Sequence, residues 1–478
     1  MEIGNSAVVG QKLDHYQSLK ASYFSLMSSR RLPIGKVRAY VGVECSLRES
    51  VLLASGHDPD EAHIVSLSEA LDSVDRIRDK DELETRLLSG IREWRASKRD
   101  GFSLPEGHIQ ETDSTKPTEH ARSVISLFSG AMGLDLGFLG SGFTILLAND
   151  IENDSRRTVA ANLPNLKFIN RDIDEVAPSE LMAEAGVAPG ELDLLIGGPP
   201  CQPFSPAGKR AGLSDPRASP LKYFIRAIRE IRPAAFVMEE VPGLLSSRLK
   251  HFPYYDKYKR KPEGDEVRGS AFSVVLQMLQ STGYRYSYAV LNAADFGAPQ
   301  VRKRVVFIGL RDGVPSFPKP THSGDGLPGR EPWVTVWEAA RHLRYTRGME
   351  LSSEDADFMS YVPPGGNWQL MPDKIKENAM GRALYSEGGR MGFYRRIPWD
   401  EPAPTLVTTP AQKGTFLVHP EMNRFLSVEE YKALQGFPEG WAIQGSIESR
   451  YRLIGNAVPV HLSSAVARHA LKILSGEV

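Results

Sequence analysis

From Ser123 onward, short apolar runs alternate with helix-like stretches, a pattern that few folds other than a doubly wound sheet satisfy. Val124-Ile125-Ser126-Leu127-Phe128 reads as a strand and is followed by a Gly-rich turn and a helix. Strand-like runs return at 144–148, 167–170, 192–196 and 234–238, with helix-like stretches at 152–162, 179–185 and 221–231 between them. The expectation is an α/β chain built on a parallel, Rossmann-like doubly wound sheet. Such a sheet presents its chemistry at the carboxyl ends of its strands.

The rest of the chain differs from this unit. Residues 1–100 read as mostly helical and polar, and 101–120 as a linker rich in Gly, Pro, Thr and Glu. Beyond about Val314, clusters of Pro, Gly and Ser replace any clear period. With 478 residues, two or three domains are expected. No apolar run reaches membrane-spanning length and residues 1–10 lack the features of a signal peptide, so the expected location is the cytoplasm. Two cysteines give no disulfide framework. A net charge of −1 offers no global attraction to nucleic acid, so any such contact must come from local patches.

One of those cysteines is placed conspicuously. Leu192-Asp193-Leu194-Leu195-Ile196 runs into Gly197-Gly198-Pro199-Pro200-Cys201-Gln202-Pro203-Phe204-Ser205-Pro206. Two prolines stop the strand, remove two backbone donors and fix the exit direction. Buried structural cysteines are common, but nothing in packing calls for a thiol between Pro-Pro and Gln-Pro. Cys201 is the candidate nucleophile; Cys45 reads as a core residue.

Other strand ends carry ligand-binding groups. Phe128-Ser129-Gly130-Ala131-Met132-Gly133 joins the first strand to its helix, where glycines admit a close ligand and the helix start offers free N–H groups. A tight strand-to-helix turn needs glycine too. Asp150 ends the second strand about twenty residues on, where a carboxylate can bind ribose hydroxyls, and Asp172 closes the third, where it could accept from an adenine amine. Glu239-Glu240 ends the strand at 234–238. A carboxyl shielded there can be a proton donor. Arg302 and Arg304 precede the apolar run 305–308, and alternation puts both on one face, suited to a carbonyl or phosphate oxygen.

Taken in order, these motifs resemble the S-adenosylmethionine-dependent DNA cytosine-C5 methyltransferases. The resemblance covers Ser123 to the C-terminus and rests on six segments: Phe128 to Phe138, Pro199-Pro200-Cys201-Gln202, Phe236 to Gly243, Gln300-Val301-Arg302-Lys303-Arg304, Leu434-Gln435-Gly436-Phe437-Pro438, and Tyr451 to Val460. It implies a catalytic domain at 121–313, an inserted irregular target-recognition domain at 314–445 and a closing segment at 446–478. Cys201 would attack C6 of a cytosine swung out of the duplex, Glu239 would bind its amine and N3, and Arg304, with Arg302 nearby, would hold O2. Phe128, Gly130, Gly133, Asp150, Ile151, Asp172, Ile173, Pro200, Asn456 and Val458 would form the cofactor pocket, with no metal. Gln202 and Ser205 would meet the substrate, and residues 205–219 would form a lid. One position departs from the family pattern: Glu240 stands where Asn is usual.

The implied partner is double-stranded DNA, the enzyme being prokaryotic and acting either alone or paired with a cognate restriction endonuclease encoded nearby, and a monomer is expected. Arg390, Arg395 and Arg396, among the aromatic residues of 367–399, are the candidate DNA contacts. A second basic, aromatic loop at 251–260 could touch the backbone. A tRNA cytosine methyltransferase and a catalytically inactive DNA-binding regulator are the alternatives. For residues 29–71 a helix–turn–helix, binding DNA or a partner, is open; His57 and His63 read as flanking a capped helix start rather than a metal site.

Overall fold

The computed structural model describes residues 121–200, 219–250, 252, 260–343, 347–385 and 392–477. The expected N-terminal accessory domain and linker, Cys201, Gln202, Ser205, the lid, most of the loop at 251–260 and Arg390 lie outside the described residues.

The strands and helices of the sheet run β1 (Ser123–Leu127), α1 (Gly133–Leu139), β2 (Thr144–Asn149), α2 (Asn153–Asn162), β3 (Lys167–Ile169), α3 (Pro178–Ala185), β4 (Leu194–Gly197), α4 (Ser219–Ile231), β5 (Ala235–Glu240), α5 (Ser270–Gln280), β6 (Arg285–Asn292) and β7 (Lys303–Leu310). They form one seven-stranded sheet in the order β3-β2-β1-β4-β5-β7-β6. The doubly wound α/β sheet is therefore present, with the order reversing at β1, where β1 pairs with both β2 and β4.

The sheet is not wholly parallel, which corrects the sequence expectation. β7 runs antiparallel between β5 and β6. Only residues 293–302 separate β6 from β7, too few for a helical crossover, so the chain returns antiparallel. Both faces are apolar and alternate strictly. Leu194, Ile196, Ala235 and Val237 join one core cluster, whereas Leu195, Phe236 and Met238 join the other with Phe224 of α4 and Phe272 of α5.

The region that follows has three short helices: α6 (Val336–Ala340) packs into the core of the sheet through Val336 and Ala340, while α7 (Ser353–Met359) and α8 (Asp373–Met380) surround a small separate core. Met359, Trp368, Met380, Tyr394, Phe416 and Phe425 build that core, with edge-to-face contacts between Tyr394 and Phe416 and between Phe416 and Phe425.

The chain then returns to the sheet through α9 (Val428–Gln435), α10 (Ile447–Asn456) and α11 (Val460–Leu474). α11 lies on α1 closely enough that a Cβ at Gly137 would stand 2.2 Å from Ser463 Oγ. The same hydroxyl donates to the Gly133 carbonyl at 2.9 Å, and Trp441 Nε1 donates to the Ala131 carbonyl at 3.2 Å. Arg122, just before β1, donates to the Leu474 carbonyl at 2.9 Å.

Candidate active site

The turn after β1 is held open by its backbone. Phe128, Gly130 and Met132 have φ of 60°, 53° and 70°. Non-glycine residues rarely adopt this left-handed region, and two in one short turn signal a loop held against its own preference by surrounding contacts. Gly130 N–H donates to Asp150 Oδ2 and Glu152 N–H to Asp150 Oδ1, both at 2.8 Å. Asp150 thus ties the loop to the end of β2. Burial raises its pKa, while these two N–H groups and the Ser155 hydroxyl oppose the rise.

Each Asp150 oxygen accepts one backbone bond and keeps acceptor capacity for a diol. Beside it Ile151 is 61% exposed, an apolar side chain presented at a strand end. Asn149, buried, donates to the carbonyls of Ile169 and Arg171 at 2.9 and 3.1 Å and so fixes the next turn. There Asp172 is exposed and accepts from Asp174 N–H at 3.1 Å, while the Ile173 side chain is buried in the core. A Cβ on Gly133 would come within 2.5 Å of the Val458 carbonyl oxygen and 2.8 Å of Ala457 Cβ. Only glycine lets the closing segment sit against the loop, which brings Val458, buried, and Asn456, exposed, to this edge of the sheet. A diol acceptor, an exposed apolar face and a glycine-lined turn fit a nucleoside-type cofactor.

The neighbouring strand ends hold the acids. Gly197 of β4 is level with Met238 of β5. One residue on, a Cβ at Gly198 would lie 2.9 Å from Glu239 Oε2, so the backbone approaching Pro199 and Pro200 passes directly over this carboxylate. Pro200 is exposed. On the other side Arg304 Nε of β7 lies 2.5 Å from Glu239 Oε1, both side chains being nearly buried. A carboxylate and a guanidinium thus meet where β4, β5 and β7 converge.

Arg302 and Arg304 take different partners. Arg302, 2% exposed, donates to the carbonyls of Leu406 (3.0 Å), Gly455 (2.7 Å) and Asn456 (3.5 Å). Gln300 donates to the Leu434 carbonyl and to Gln435 Oε1, and Gln435 donates to the carbonyls of Ile454 and Ala457, both at 2.7 Å. Arg302 and the two glutamines form a buried clamp that holds the closing segment, with Asn456, against the sheet. Sequence reasoning assigned Arg302 to the substrate and overlooked Gln300 and Gln435; their place inside two of the quoted motifs was the available signal.

Arg396 is also committed to folding. It is 3% exposed and donates to the carbonyls of Val362, His419, Met422 and Met359 at 2.7–3.0 Å, and to Asn423. Arg395 is partly buried, its Nε has no hydrogen-bond partner among the described residues, and burial lowers its pKa. A further residue missed is Asp135 of α1, fully buried just after the turn that follows β1. Its signal was a lone charge in the otherwise apolar helix Gly-Leu-Asp-Leu-Gly-Phe-Leu.

Comparison with known proteins identifies the family. The model of the C-5 cytosine-specific DNA methylase family matches residues 122–472. The type II methyltransferase M.PspPI of Psychrobacter sp. is 35% identical over 367 residues, covering 74% of this chain and 80% of its own. M.Sau96I of Staphylococcus aureus is 33% identical over 360 residues, with 74% and 76% covered. A solved structure described as a prophage-encoded DNA modification methyltransferase of E. coli shares the fold, with a TM-score of 0.50 and 22% identity, over 74% of this chain and all of that one. The chain belongs to the C-5 cytosine-specific DNA methylases and is a DNA cytosine-5 methyltransferase of the restriction-modification type.

Proposed function

We propose that the enzyme methylates C5 of a cytosine turned out of a specific duplex DNA sequence, through a transient bond between Cys201 and C6. The observation that carries this reading is the Glu239 carboxylate, set between Gly198 at the end of β4 and Arg304 of β7. Two of these groups suit the three polar atoms of cytosine, and the third leads to the nucleophile. Glu239 accepts from the exocyclic amine and delivers a proton at N3, Arg304 holds O2, and the turn beginning at Gly198 carries the thiol.

The logic is electronic. Neither C5 nor C6 reacts readily in an aromatic pyrimidine. The Cys201 thiolate adds to C6 while N3 gains a proton from Glu239, and the ring becomes an enamine with a nucleophilic C5. Cysteine suits this step because a few per cent of it is thiolate at neutral pH. S-adenosylmethionine, when bound, supplies the electrophilic methyl group. Loss of the C5 proton then re-forms the C5–C6 double bond, expels Cys201 as thiolate and returns the N3 proton to Glu239. C6 is inaccessible inside the stack, so the base must leave it first.

Phe128, Gly130, Gly133, Asp150, Ile151, Asp172, Ile173, Pro200, Asn456 and Val458 hold the cofactor in this reading, with Asp150 binding the ribose hydroxyls and Asp172 and Ile173 at the adenine. Residues 314–445 read the DNA, with Arg390 and Arg395 as contacts, and Arg396 supports the fold. Gln202 and Ser205 line the flipped base. The enzyme works as a monomer in a prokaryotic cytoplasm, alone or paired with a cognate endonuclease. Relatives that are DNA methyltransferases, and a long region between β7 and α9, favour DNA over tRNA.

The test is trapping. A duplex carrying 5-fluorocytosine at the target should capture the wild type as a covalent adduct, because fluorine cannot leave as a proton does. Cys201→Ser should bind cofactor but form no adduct. Turnover on normal DNA without trapping would falsify the covalent route.

A further inference from the structure

Beyond β5 the chain makes a short turn, Pro242–Ser246, that packs on β7 and α5. β5 ends and β7 begins at the same edge of the sheet, because the two strands are antiparallel, and that edge holds Glu239 and Arg304. Residues 247–250 therefore stand beside it. Their backbone is fixed there by the residues that open α5. The Ser247 carbonyl accepts from the N–H groups of Gly269 and Ala271 at 3.0 and 3.4 Å. Leu249 N–H donates to Ser270 Oγ and Lys250 N–H to the Asp265 carbonyl, both at 3.0 Å.

From this fixed backbone Arg248 extends a guanidinium with no hydrogen bond or ion pair to any described residue. Its Nε is buried, and the residue as a whole is half-buried. The ring of Phe252, itself buried, lies 5.8 Å from its Cζ and 4.9 Å from that of Arg260, within reach of a cation–π contact with each. The buried acid of this stretch is already engaged: Glu266 accepts from both terminal nitrogens of Arg260, at 2.5 and 2.9 Å. Lys250 stands 4.0 Å from Glu266 with 72% of its side chain exposed.

A half-sunk cation without an anion is unfavourable, since it has given up water and gained no charged partner. Arg302, Arg304 and Arg396 avoid that cost through internal acceptors. Arg395, a candidate DNA contact, shares the condition of Arg248, a buried Nε with no partner among the described residues. An anion from outside the chain would complete either group, and a phosphate suits a guanidinium.

We propose that residues 247–250 are a phosphate-binding platform for the substrate duplex, with Arg248 as its anchor and Lys250 as its second cation. The proposal rests on the reading in which the target cytosine meets Glu239: a duplex placed for that lies across this edge, and its backbone passes beside the platform. Contacts to phosphate carry no base information, so the platform holds the duplex in place without choosing its sequence.

The test is equilibrium binding of the full-length enzyme across a salt series. Two fluorescent duplexes are used, one carrying the methylated sequence and one a scrambled sequence. Neither cofactor nor turnover is needed, so the outcome is separate from that of trapping. Each phosphate contact contributes about 0.9 to the slope of log affinity against log salt. Arg248→Gln should lower the slope by about that much and weaken both duplexes alike, by about tenfold at low salt. Arg248→Lys keeps the charge and should restore the slope, and the double change Arg248→Gln with Lys250→Gln should lower it about twice as far. In methyl transfer, the KM for DNA should rise far more than kcat falls. Arg285→Gln removes an exposed cation where β6 begins, at the opposite edge of the sheet, and should leave the slope as in the wild type. An unchanged slope in Arg248→Gln, a loss confined to the methylated sequence, or an equal change in Arg285→Gln would each overturn the proposal. If Arg248→Gln fails to fold, Lys250→Gln, which removes an exposed cation alone, decides it by the same slope.

Discussion

Replacing Asp135 by Asn should stabilise the enzyme at neutral and alkaline pH and leave its stability unchanged in acid. Asp135 is fully buried in the first turn of α1. The nearby hydroxyls of Ser126 and Ser129 bond each other at 3.0 Å, and neither carboxylate oxygen has a hydrogen-bond partner among the described residues. Burial pushes the group from 3.8 up to about 7; Ser126, Ser129 and its own backbone N–H offset part of the rise, and the charge of Asp150 adds to it. The folded state therefore holds this proton more tightly than the unfolded chain. Its stabilising effect is complete below pH 3.8 and disappears as pH rises to about 7. The gap between those values corresponds to about 4 kcal/mol at most, and relaxation around the charge should leave about 2–4 kcal/mol. Asparagine keeps the shape and cannot ionise. Urea denaturation across a pH series should show the two proteins converging near pH 4 and separating by that amount near pH 8. Parallel curves would mean that Asp135 is solvated or paired and that the reasoning is wrong.

Four further outcomes follow from the same geometry. Gly133→Ala forces a methyl group against Val458 and Ala457 and should weaken binding of S-adenosylhomocysteine about 5- to 100-fold by calorimetry, with DNA affinity preserved. Arg302→Met leaves carbonyls of Leu406, Gly455 and Asn456 without their donor and should cost about 2–4 kcal/mol in denaturant, with cofactor affinity falling as Asn456 loosens. Glu239→Gln should slow methyl transfer about 10²- to 10⁴-fold in single-turnover assays, far more than Glu240→Gln; equal losses would mean the acids are assigned the wrong way round. Removing residues 1–115 should leave the methylated sequence unchanged when modified DNA is sequenced, and a changed site would assign those residues to the reading machinery.

Much of the sheet was legible because parallel strands buried on both faces leave continuous apolar runs such as Leu194-Leu195-Ile196 and Phe236-Val237-Met238. The antiparallel return of β7 was not, since an apolar run carries no sign of its direction. The strand-end acids could be named because position along a strand fixes which edge a residue reaches. The use of Arg302 could not: its acceptors are backbone carbonyls more than a hundred residues away, and a carbonyl belongs to every residue alike. Arg396 was hidden for the same reason, its partners again being largely main-chain oxygens. Exposed basic residues and buried structural ones look identical in a sequence, and only the packing separates them.

The bond from Arg122 to the Leu474 carbonyl has a consequence in time. Its partners are 352 residues apart, and the Gly133–Ser463 bond beside it spans 330. Synthesis at roughly 5–20 residues per second puts about 20–70 s between the emergence of β1 and that of α11. Throughout that interval the turn after β1 lacks its covering segment, and so the growing chain on the ribosome does not hold the arrangement of the finished protein. Competence to modify DNA thus waits on the making of α11 and is not set by the first strands to form.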